Sequence, residues 1–196
     1  MNIPVLILET ICFLASLTSY FQGTVPAYLK FFPPFLLVTV IVETILPHLA
    51  ISRDLNTDPY YNIFTAFEFL FYLFVIYCII QNPNIKRYFI HLFWMYPLLF
   101  VLNIIFIQYN SFHTITYSIG CLITVSASIY YFVELFRSPS SVNLQREAAF
   151  WICTALLFYY TCTFTLVGLW NQIYELPIVI RVNVNKILTI LNFMLY

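Results

Sequence analysis

An all-α bundle of about seven membrane-spanning helices, with its N-terminus outside, is the fold this sequence predicts, and three observations predict it. Hydrophobic residues make up 62% of the chain and charged residues 8%, with a mean hydropathy of +0.89, whereas soluble domains carry about 25% charged residues. The apolar residues gather into seven stretches, each near the ~20 residues a helix needs to cross the hydrocarbon. Nearly all the turn-forming residues fall between those stretches. A water-soluble chain of this size could not bury so much apolar surface.

The spans are expected at 3–20, 32–51, 62–80, 88–108, 113–133, 148–169 and 176–196. The first has neither the basic segment nor the small-residue cleavage site of a secretory signal, so it reads as a span. Gln22-Gly23-Thr24-Val25-Pro26 separates it from the second. The next breaks are Ser52 to Pro59, Gln81-Asn82-Pro83-Asn84, Tyr109-Asn110-Ser111, Ser138-Pro139-Ser140-Ser141 and Trp170-Asn171-Gln172. Such short loops leave no room for a soluble domain, and residues 1–196 form a single transmembrane domain. The last span is the poorest, with only ten residues after Lys186, and Pro177, a favourable first helical residue, is its expected start.

Eight Lys plus Arg balance eight Asp plus Glu, which leaves no basic stripe for nucleic acid. In a seven-span chain Lys30, Lys86, Arg87, Arg137 and Arg146 share one side, against Arg53, Arg181 and Lys186 on the other. By the positive-inside rule the five mark the inner face, where Lys86, Arg87, Arg137 and Arg146 meet anionic headgroups and offer a protein partner its contacts. Tyr and Phe, 16 and 21 residues, are expected to pack the bundle and face lipid, with Tyr and Trp anchoring the span ends.

Five cysteines, Cys12, Cys78, Cys121, Cys153 and Cys162, all lie in apolar runs without a C-x-x-C pair; they read as small buried hydrophobes. His48 and His91 do not converge, so no metal site is expected. No hydrolase, zincin or nucleotide-binding motif occurs, and three glycines cannot build a phosphate-cradling loop. The sequence therefore names no catalytic residue and no cofactor.

The polar residues inside the spans carry what functional signal there is. Glu9 lies ~9 Å below the starting face, Glu43 ~10 Å from the far end of the second span and Glu68 ~10 Å into the third. Alternating chain direction brings these depths into one layer, under the outer leaflet in this topology. A charge at the bilayer centre costs ~2.5–3.5 kcal/mol on insertion scales, so three carboxylates mark a site hypothesis. Arg181 and Lys186 enter from the same face at ~7 and ~15 Å and are expected to face the acids. Tyr61, Thr65, Glu68 and Tyr72 share one face of the third helix by their 4-3-4 spacing, and Thr39 precedes Glu43 by one turn. Pro47 lacks the amide hydrogen that would bond the Glu43 carbonyl, which exposes a second acceptor there. Asn185, Lys186, Thr189 and Asn192 form a polar strip on the last helix, and Asn103 reaches a similar depth on the fourth. The expected ligand- or ion-binding set is Glu9, Glu43, Glu68, Thr65, Tyr72, Asn103, Arg181, Asn185 and Lys186.

Two strings, Phe32-Pro33-Pro34-Phe35-Leu36-Leu37 through Glu43 and Tyr61-Asn62-Ile63-Phe64-Thr65-Ala66-Phe67-Glu68-Phe69, resemble segments of small, uncharacterised bacterial multi-spanning membrane proteins. The resemblance covers spans two and three. It implies a bacterial inner-membrane location and the helix count, and brings no activity with it. The expected function is a binding or sensory module that takes a small ligand, ion or lipid headgroup near the outer leaflet. The alternatives are a small transporter or proton-coupled carrier using Glu43 and Glu68, and a structural subunit of a membrane complex.

Overall fold

Hydroxyl and proline residues decide where the helices begin and bend. In the computed structural model, which describes residues 3–21, 23, 25–53, 55–108, 111–137, 144–168 and 177–195, the first span is broken into α1 (Ile3–Ser16) and the short α2 (Thr18–Phe21). Ser16 Oγ donates to the Phe13 carbonyl and Thr18 Oγ1 to the Ala15 carbonyl, both at 2.7 Å. Such hydroxyls compete with the backbone for helix carbonyls and bend it. A 3₁₀ turn, Ala27–Phe31, runs straight into α3 (Phe32–Arg53), whose first turn tolerates Pro33 and Pro34 because those amides need no helical partner.

The next helices are α4 (Asp58–Ile79), α5 (Pro83–Phe106), α6 (Thr114–Arg137) and α7 (Ala148–Gly168), followed by α8 (Ile178–Leu195). α5 begins five residues before the expected 88, because Asn82 Oδ1 caps it by accepting from the Asn84 amide at 3.0 Å with Pro83 at its start. Lys86 and Arg87 thus belong to a helical first turn that an apolar window does not see. α4 starts at Asp58, four residues ahead of the expected 62, with Pro59 in its first turn.

Among the described residues, six segments are long and apolar enough to cross a membrane, and α8 adds a shorter apolar run over Val182–Leu195. The 18 residues of α8 span ~27 Å, close to the ~30 Å hydrocarbon thickness. The chain is an all-α, multi-pass membrane protein. Its outward faces agree: Trp94 is 80% and Phe106 76% exposed, an arrangement that suits lipid and would aggregate in water.

Packing places α4 at the centre, against α3, α5 and α6. α7 lies between α6 and α8, and α1 between α8 and α3. Helices α1, α3, α4, α6, α7 and α8 thus follow one another around an interior, while α5 packs outside on α4 and α6. Phe69, Leu73, Val75 and Ile76 of α4 are fully buried. Phe35 on α3 stacks on Phe71 at 3.9 Å between ring centroids, and Gly120 of α6 lets that helix close on Phe69.

At the end bearing Lys86, Glu134 of α6 accepts from the Gln81 amide at 3.1 Å and the Asn82 amide at 2.8 Å, while Asn82 Nδ2 donates to the Tyr130 hydroxyl at 3.1 Å. The carboxylate thereby ties the α4–α5 turn to α6. Hydrogen bonds to a charged group contribute ~1.5–3 kcal/mol each in water and less at partial exposure. Glu134→Ala is expected to lower the unfolding free energy by ~1–3 kcal/mol in detergent-based denaturation, and Glu134→Gln by less; wild-type stability in both would show the tie to be inert.

Candidate functional site

The inward face of α1 carries Val5, Glu9 and Cys12, one residue per turn, while Ile7, Ile11 and Leu14 point out. This rotation puts Glu9 inside the bundle at 3% exposure. Its Oε2 is fully buried and has no hydrogen-bond partner among the described residues. Glu43 is half-buried on α3, one turn beyond Thr39, whose hydroxyl is spent on the Phe35 carbonyl at 3.1 Å. Glu68 is half-buried on α4 and accepts from the Tyr160 hydroxyl of α7 at 3.1 Å.

The three acids, carried by three helices, lie within electrostatic reach of one another. The charges of Glu43 and Glu68 both act on Glu9, and that of Glu43 acts on Glu68. Tyrosines surround them: Tyr61 lies within the field of Glu43 and Glu9, and Tyr159 within that of Glu68 and Glu43. Tyr117 is in hydrogen-bond reach of Tyr159 and Thr163. Tyr72 joins this group through ring contacts with Phe35 and Tyr160 at 5.5 and 6.0 Å.

Two cavities flank the layer. The larger, about 620 Å³, has Asp58, Tyr61, Phe112, Tyr117, Tyr159 and Asn192 among its walls, at the end of the bundle that carries the α3–α4 and α5–α6 turns. The smaller, about 160 Å³, has Cys12, Phe32, Tyr72, Leu156 and Leu195 among its walls, toward the opposite end. Cys12 lies one turn beyond Glu9 and Tyr72 one turn beyond Glu68, so the acids sit between the two spaces.

Other expected members go elsewhere. Thr65 donates to the Tyr61 carbonyl at 2.7 Å and lines a small space shared with Asn62, His113 and Thr116; it is ~60° around α4 from Glu68, on the side of α5 and α6. Asn103 belongs to a separate clasp, donating to Thr116 Oγ1 at 2.7 Å and Gln108 Oε1 at 3.0 Å. Because α5 packs outside the ring, matching depth does not bring Asn103 to the acids. Lys186 is exposed and is not among the charges acting on Glu9, Glu43 or Glu68, so the expected opposition of acids and Lys186 does not form. The side chains of Arg181 and Asn185 lie outside the described residues.

Sequence reasoning missed the clasp itself. Asn62 Nδ2 donates to the Ser111 carbonyl at 3.0 Å, the His113 amide donates to Asn62 Oδ1 at 2.9 Å, and His113 Nε2 meets the Gln108 carbonyl at 2.7 Å. Burial pushes the His113 imidazole below its ordinary pKa, and its bond to the Gln108 carbonyl opposes that shift. It also missed Tyr117, Tyr159 and Tyr160, where the available signal was hydroxyls one turn apart, Tyr160 and Thr163, inside an otherwise apolar run.

No known protein family, no curated protein and no solved structure matches this chain.

Proposed function

We propose that this chain is a small-ligand- or ion-binding membrane module, set in a bacterial inner membrane with its N-terminus outside, whose site is the larger cavity backed by Glu9, Glu43 and Glu68. The observation that carries the reading is Glu9 Oε2, buried without a hydrogen-bond partner among the described residues and within electrostatic reach of two more carboxylates. A buried polar group left unpaired costs ~1–3 kcal/mol, and a fold gains nothing from keeping it. Such a cost makes sense where the group meets something that arrives. In the sensory form of the reading, occupancy shifts α1, α3 and α4, and the basic inner loops pass the change to a protein partner.

The carrier reading draws on one further observation, the cavity on the other side of Glu9 and Glu68. Acids between two spaces suit a site reached alternately from each face. Proteoliposomes decide between the two forms: a carrier dissipates an imposed pH gradient and loses this with Glu68→Gln, whereas a binding module leaves the gradient intact in both proteins. Ligand binding that survives Glu9→Met, Glu43→Gln and Glu68→Gln together would overturn both forms.

A further inference from the structure

We infer that the ligand of the larger cavity is an organic cation of the quaternary or tertiary ammonium class; this rests on the binding reading above and names its chemistry. Three independent features agree on the charge and type of the ligand.

The first is the wall. Among the described residues lining the cavity, Asp58 is the one formal charge, and no Lys, Arg or His lines it. An anionic ligand would meet one carboxylate and, among the described lining residues, no cationic side chain to balance it. The second is aromatic character: Tyr61, Phe112, Tyr117 and Tyr159 contribute four rings to the same space. Ring faces attract cations, and aromatic cages hold quaternary ammonium groups that have no hydrogen bond to offer. The third is the field from behind. Tyr61 stands in reach of Glu43 and Glu9, and Tyr159 of Glu68 and Glu43, so the tyrosine wall separates the cavity from three carboxylates. An ionised carboxylate behind that wall attracts a cation in the cavity, with an energy that falls off with distance and effective dielectric.

Geometry then selects the kind of cation. A metal ion needs several ligating oxygens at ~2.0–2.6 Å, and among the described residues no group of three or more His, Cys, Asp or Glu converges to hold one. Acids that act through a layer of rings suit a bulky cation with diffuse charge instead. A volume of about 620 Å³ falls within the ~300–1,000 Å³ of small-molecule sites. The Glu9 oxygen without a partner leaves an acceptor that no neighbour among the described residues has used.

The test uses the full chain in detergent or nanodiscs and three probes of one shape: choline, its uncharged isostere with tert-butyl in place of trimethylammonium, and the tert-butyl carboxylate of matching length. Calorimetry and the shift in Tm are the readouts. Choline is expected to bind saturably and at least ~tenfold more tightly than the uncharged isostere, with no binding of the carboxylate. Asp58→Asn and Tyr159→Leu are expected to weaken choline by ~tenfold each, while Tyr159→Phe, which keeps the ring, retains most of the affinity. Equal binding of choline and its uncharged isostere, or choline binding indifferent to Asp58→Asn and Tyr159→Leu in proteins of wild-type Tm, overturns the inference. If the uncharged or anionic probe alone binds, and Val167→Trp in the cavity wall abolishes it, the binding reading stands and the cation inference falls. No binding by any of the three overturns both.

Discussion

Gly120→Leu is expected to prevent α4 and α6 from closing, leaving no monodisperse folded protein, and Gly120→Ala to lower the unfolding free energy by ~1–3 kcal/mol. A Cβ at position 120 would lie 2.6 Å from Phe69 Cδ2 and Cε2, nearer than any real contact of that kind. Phe69 has nowhere to move. Its ring is fully buried and held by Tyr96, Tyr117 and Tyr160 at centroid distances of 5.7, 5.4 and 5.0 Å. Small residues at such contacts are how membrane helices approach closely without a hydrophobic driving force. The consequence reaches the site, since Tyr160, which touches Phe69, also donates to Glu68. Unfolding titrations of Gly120→Ala, Phe69→Leu and the double variant measure the coupling, and the smaller side chain should recover part of the loss. Additive effects would mean that the two residues do not meet.

Glu9→Met is expected to raise stability by ~1–3 kcal/mol, the cost of the buried oxygen that it removes. Methionine matches glutamate in length, has comparable helix propensity and adapts to irregular space. Most core substitutions destabilise, so the opposite sign is informative. It is the behaviour of sites where function is retained against the interest of the fold.

Span count and the meeting of the three acids were both legible, because each depends only on chain direction and rise per residue. Glu9, Glu43 and Glu68 are 6, 10 and 10 residues from helix ends at one face, counted from Ile3, Arg53 and Asp58. Rotation and neighbour choice were not legible. Thr65 lies one turn from Glu68 yet faces another space, because α4 is central and each of its sides meets a different helix. Asn103 has a suitable depth on a helix that packs outside the ring. Lys186 was placed by depth beside the acids, but α8 turns Val184 and Leu191 inward and leaves Lys186 exposed. The tyrosines escaped notice because among 16 of them no pattern in one sequence separates a site hydroxyl from an interfacial anchor. The turn carboxylate Glu134 was equally silent, since its partners are backbone amides 52 and 53 residues away.

The central claim is that the acid layer is kept for a ligand and not for the fold. Paired unfolding and choline titrations of wild type and Glu9→Met test it most directly. The account predicts a variant that is more stable by ~1–3 kcal/mol and binds choline about tenfold more weakly. A variant that is less stable than wild type, with choline binding unchanged, would contradict it and make Glu9 a structural residue.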